Sequence, residues 1–143
     1  VYGLSKVATC CSVKVLINLL AQLIAIAKCD DETQWRKAVE IIDRAESCFI
    51  CNVVLCEIFW VLKGKPYKYS SAEIMRTLEL ILQSPKFEFE NKSVIYQAIS
   101  LARQGTADFA AYLIGAINHH YKGDRTVTFD RQLKTVKRFE VLK

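Results

Sequence analysis

The chain has 143 residues, 52% of them apolar, and a net charge of +5. Such a length suits one globular domain with a sizeable core rather than several domains. The mild basicity tolerates a polyanionic partner such as RNA but does not by itself identify a nucleic-acid binder.

In chain order, Val13-Lys14-Val15-Leu16-Ile17 is β-branched and apolar and predicts a first strand, with a helix from Asn18 to Lys28. The apolar run Val15 to Ala27 follows Lys6 and Lys14 and ends Ala25-Ile26-Ala27, which mimics a signal-peptidase site. The run is too short to span a bilayer, and a core strand turning into a helix fits it better. No membrane association is expected. Asp30-Asp31-Glu32 opens the next predicted helix, Glu32 to Ser47, with acids where the helix dipole favours them. Trp35, Ala38, Val39, Ile42 and Ala45 recur on one face of it.

Phe49-Ile50 lies in a short apolar stretch that reads as an internal parallel strand. Asn52 can cap a helix from Val53 to Lys63, ended by Gly64-Lys65-Pro66. Ser70-x-x-Glu73 is a capping box for a helix with Ile74, Leu78, Ile81 and Leu82 as its buried stripe, closed by Pro85. Phe87-Glu88-Phe89-Glu90 alternates as a strand does. Asn91 caps a helix that Gly105 stops, and Ala107 to Tyr121 is another, ended by Gly123. Thr126 to Phe129 and Phe139 to Leu142 are the last strands. The expected fold is α/β: three α/β/α layers around a mainly parallel sheet of about five strands. Ligands of such sheets bind at the carboxyl ends of the strands.

The six cysteines are Cys10, Cys11, Cys29, Cys48, Cys51 and Cys56. They sit in apolar runs, which suggests buried free thiols and a reducing cytoplasm. Cys48-Phe-Ile-Cys51 is a CxxC, but Cys56 and His119-His120 lack the spacing of a second zinc half-site.

Three acids fall near strand ends. Glu57 lies within the most apolar helix, where a lone buried carboxylate is costly unless paired or metal-bound. Asp130 directly follows the Val127–Phe129 strand and could instead cap Arg131-Gln132-Leu133. Asp108 opens the preceding helix and could be an ordinary N-terminal helix acid. Brought into one cleft, they would be hard oxygen ligands for a divalent cation that hydrolyses phosphodiesters.

The ordered segments CDDETQWRKAVEII, FICNVVLCEIFWVL, GTADFAAYLIGAINHH and TVTFDRQL resemble those of the PIN domain family, in particular the VapC-type toxin ribonucleases. The resemblance covers residues 30–143, and residues 1–29 are atypical. It implies a metal-dependent endoribonuclease using Mg²⁺ or Mn²⁺ on RNA, tRNA included. It also implies a homodimer and a cognate antitoxin protein laid over the cleft.

Carried across by position, Glu57 matches the family's second acid and Asp130 its fourth. The third falls on Ala111, and Asp108 lies one helical turn earlier on the same face. The first belongs to an Asp-Thr-Asn; it aligns with Leu16-Ile17-Asn18 or, in a second register, Gly3-Leu4-Ser5, and no Asp or Glu precedes Asp30. Losing two of four carboxylates weakens cation binding and misplaces an activated water, so cleavage is expected to be abolished or severely reduced. A non-catalytic PIN-like module that keeps dimer, antitoxin or RNA binding is the alternative, and a decayed gene product a third reading. Lys63, Lys65, Lys68, Arg131, Lys134, Lys137 and Arg138 are available for phosphates or for a solvated face.

Overall fold

The computed structural model describes residues 7–8, 36, 39–40 and 42–143. Residues 36, 39–40 and 42–44 are helical, which fits the predicted 32–47 helix at its centre. Its end is earlier than expected: Ser47 already belongs to strand β2, Ser47–Ile50. The Lys86 ammonium reaches the carbonyls of Asp43 and Ala45, supplying positive charge where the helix leaves its last carbonyls open.

Helix α1 is Asn52–Lys63, α2 Ser71–Gln83, α3 Lys92–Gln104 and α4 Phe109–His120. Strand β1 is Val7–Ala8, β3 Phe87–Phe89, β4 Thr126–Thr128 and β5 Phe139–Val141. All pairings are parallel, as strands alternating with helices require. Among the described residues the five strands do not form one central sheet. They divide into a sheet ordered β1-β2-β3 and a separate pair β4-β5. The strand described beside β2 is Val7–Ala8, and the segment Val13–Ile17 expected in that role lies outside the described residues.

The helices follow from their apolar stripes. Ile58, Phe59 and Leu62 of α1 join Ile74, Leu78 and Leu82 of α2, Ile95 and Ile99 of α3, and Phe109 and Tyr112 of α4 in one core. Burying side chains of this size contributes about 1.5–3 kcal/mol each. Ser70 caps α2 as expected: its Oγ accepts from the Glu73 amide at 3.3 Å and Glu73 reaches back to the Ser70 amide at 2.8 Å. The Ser70 hydroxyl, donating to the Glu73 carboxylate at 2.7 Å, and then the Ser70 amide hold the Glu73 carboxyl below the usual carboxylate range. Asn91 caps α3 through a 3.2 Å bond from the Val94 amide, and Gly105 ends it. A bidentate Arg103–Glu79 pair, at 2.6 and 2.7 Å, fastens α3 to α2.

Asn52 does not cap α1. Cys51 holds that position without a side-chain bond, and Asn52 is the first helical residue. Glu90, Phe129 and Leu142, expected as strand, fall just outside the observed strands, and α4 starts and stops inside its predicted range.

Candidate functional site

The three sequence-predicted acids are each placed by a different local rule. Glu57 is exposed on α1 and has no hydrogen bond or ion pair among the described residues. The burial cost that made it conspicuous in the sequence therefore does not arise, because Val54, Leu55, Ile58 and Phe59 turn inward and leave position 57 outside. Its charge still acts locally. Burial first, then Glu57 and Cys51, push the Cys56 thiol up, and burial does the same for Cys48 against the opposing pull of Lys86. Cys48, Cys51 and Cys56 are free, and the raised thiols of Cys48 and Cys56 are poor nucleophiles and poor metal ligands.

Asp108 is the N-cap residue of α4, yet its side chain makes no capping bond. It accepts instead from Lys63 Nζ at 2.5 Å. Lys63 ends α1, and its ammonium lies 5.3 Å from the Phe59 ring centre and 5.4 Å from that of Trp60. The carboxylate thus already has a cation, held over two aromatic faces. Ala111, one turn on, is packed against the core.

Asp130 does what its bland reading said. Its Oδ1 accepts from the Gln132 amide at 2.9 Å and caps the short 3₁₀ turn Arg131–Leu133, while its own amide donates to Thr128 Oγ1 at 3.1 Å. Glu57, Asp108 and Asp130 are not brought together: no group of three or more His, Cys, Asp or Glu side chains among the described residues could hold a metal ion. As placed, these residues do not fit a divalent-cation centre.

A different cluster stands at the carboxyl ends of β2 and β3. Glu90 accepts from the Asn52 amide at 3.2 Å and from Asn52 Nδ2 at 2.6 Å. Its charge sits at the first turn of α1, where the helix dipole favours it. Asn52 Oδ1 is buried without a partner. The Asn91 amide nitrogen lies 3.3 Å from His120 Nε2, an arrangement in which the amide donates when Nδ1 carries the ring proton. A cleft of about 300 Å³ runs between these groups, with Val53, Ile117 and Tyr121 along its sides. The sequence reading did not single out Glu90. In the sequence Glu90 counts as the end of its strand, whereas the strand stops at Phe89 and Glu90 follows it directly.

A family model for the PIN domain matches residues 22–139. The chain belongs to the PIN domain family. The match begins before Asp30, so it takes in part of the segment that looked atypical. Searches of curated proteins and of solved structures return no match. PIN domains have a nuclease-like fold, typically depend on divalent metal and often bind RNA. No described helix of this PIN domain is long and apolar enough to cross a membrane.

Proposed function

We propose that this PIN domain is a relative of the toxin–antitoxin endoribonucleases in which metal-dependent cleavage of RNA is lost or severely reduced. The observation that carries the reading is the engagement of the acids. Asp108 is neutralised by Lys63, Asp130 caps a turn, and Ala111 occupies the position of the missing third acid. Hydrolysis at a divalent centre needs several oxygens aimed at one point, and a carboxylate bound to an ammonium is a weaker ligand. Residues 1–29 hold no Asp or Glu.

The alternative is a binding module that retains dimer formation and takes an antitoxin-like protein or RNA without cutting it. The Lys63–Asp108 pair favours this reading, because it leaves the start of α4 charge-balanced without metal. In both readings the protein acts in the cytoplasm, with RNA, tRNA included, as the polyanion.

The test is a Mn²⁺ titration of the chain together with an RNA-cleavage assay with and without EDTA. The expected result is weak Mn²⁺ binding and no EDTA-sensitive cleavage, with Ala111→Asp raising Mn²⁺ affinity. Tight Mn²⁺ binding with EDTA-sensitive cutting by the unaltered chain overturns impaired catalysis. Gel filtration with light scattering, alone and with the product of a neighbouring gene, separates the binding module from a chain that has lost its partners as well.

A further inference from the structure

A second cleft, of about 330 Å³, opens at the other end of α4, between α3, α4 and the start of β5. The cleft meets α4 from Gly115 to His119, so about 10–16 Å of helix separates it from the Lys63–Asp108 pair at the first turn. The inference therefore does not rest on the reading of the acids.

The floor of the cleft is apolar and smooth. Gly115 and Ala116 of α4, Leu101 of α3 and Phe139 of β5 line it. The Phe139 ring packs directly on Gly115, where a Cβ would stand 2.2 Å from it. Gln97 and Ser100 add an amide and a hydroxyl from α3. The rim carries Lys137, Arg138 and the His119 imidazole, and among the described residues no carboxylate lines the cleft. Lys137 and Arg138 have no hydrogen bond or ion pair from their side chains among the described residues, whereas Arg125 nearby in sequence is paired with Glu140 at 3.0 Å. Arg138 also holds a φ of 72°, a conformation unfavourable for a side chain other than glycine's. Its carbonyl accepts from the Thr126 amide at 2.8 Å, so the pairing of β4 with β5 fixes this backbone at the rim of the cleft.

A ligand matching these groups has a flat apolar ring with heteroatoms on its edge and a compact anion at one end. We propose that the cleft binds a nucleoside monophosphate, its base against the floor within reach of Gln97 and Ser100, its phosphate on Lys137 and Arg138. The volume suits a single nucleotide, lying at the lower end of ordinary small-molecule sites. Unpaired cations beside an apolar floor supply the two contributions such a ligand needs, charge-assisted hydrogen bonds and burial of the ring. The same chemistry is offered by a free nucleotide and by the phosphorylated end of an RNA.

The full chain is titrated calorimetrically at low salt with AMP, UMP, adenosine, inorganic phosphate and a short 5′-phosphorylated oligoribonucleotide. At least one of AMP and UMP is expected to saturate, with adenosine and phosphate about tenfold weaker or more. Arg138→Gly removes the whole side chain, guanidinium included, while the glycine backbone suits the positive φ at this position, so the fold survives it. It and Lys137→Ala are each expected to weaken the nucleotide about tenfold, and Arg138→Lys to restore most of the affinity. Oligoribonucleotide displaced by the mononucleotide identifies RNA ends as the source. Failure of the oligoribonucleotide to compete identifies the free nucleotide. No saturation by either nucleotide overturns the proposal. So does phosphate binding as tightly as the nucleotides, affinity unchanged in Arg138→Gly and Lys137→Ala, or an acidic peptide displacing the nucleotide at lower concentration.

Discussion

The two ends of α4 carry opposite electrostatic solutions. At the first turn, where the sequence pointed to catalysis, Asp108 is bound to Lys63 and the charge is balanced within the chain. At the last turn His119, Lys137 and Arg138 surround an open cleft with no acid among the described residues lining it. A segment can keep the order of a family's motifs while its charged groups are satisfied internally. Availability, more than identity, then decides which end of the helix can act on something else.

The largest way to break this comparison is to loosen the first turn itself. Phe109 is fully buried and its ring centre lies 6.0 Å from that of Phe59. Phe109→Ala should cost about 3–5 kcal/mol in urea unfolding, because the cavity left behind adds to the lost burial. Gly115→Ala strikes the other end. Its methyl meets the Phe139 ring, so a loss of about 1–3 kcal/mol is expected, with nucleotide affinity falling while Mn²⁺ titration stays as it was. A variant that keeps full stability by the same unfolding measurement would show that β5 yields freely there.

Smaller effects sharpen the contrast. Arg138→Gly relieves an unfavourable φ and should change thermal stability by no more than about 1 kcal/mol, upward if the strain outweighs the added freedom of the unfolded chain. Lys63→Met removes a half-exposed ion pair and should shift stability by less than about 1 kcal/mol. Its useful readout is Mn²⁺ affinity, which should rise once Asp108 loses its ammonium partner. An unchanged affinity would mean that the pair is not what withholds this carboxylate from a cation.

Local chemistry was legible in the sequence. The Ser70–Glu73 box, the Asn91 cap and the stop at Gly105 each depend on residues within a few positions of one another, and each is present. What could not be read depended on distant partners. Asn52 follows a strand much as Asn91 does, yet its amide is taken by Glu90, 38 residues away. Lys63 finds Asp108 across 45 residues. Glu57 looked buried because its helix is apolar, but exposure is set by which face of α1 meets α2 and α4, and position 57 falls outside it. The division of the strands into a three-stranded sheet and a separate pair was likewise invisible to periodicity, which identifies strands but not their neighbours.

The corner between α3 and α4 offers a chemical clock. Tyr112 is 1% exposed, and its hydroxyl accepts from the Ala107 amide at 3.3 Å beside Gly105, where a Cβ would stand 1.8 Å from the phenol oxygen. Tyr121, nine residues on, is 79% exposed. A ring-iodinating reagent should therefore mark Tyr121 at once and reach Tyr112 only when the helical hairpin parts, so the lag between the two labels times the opening of the corner.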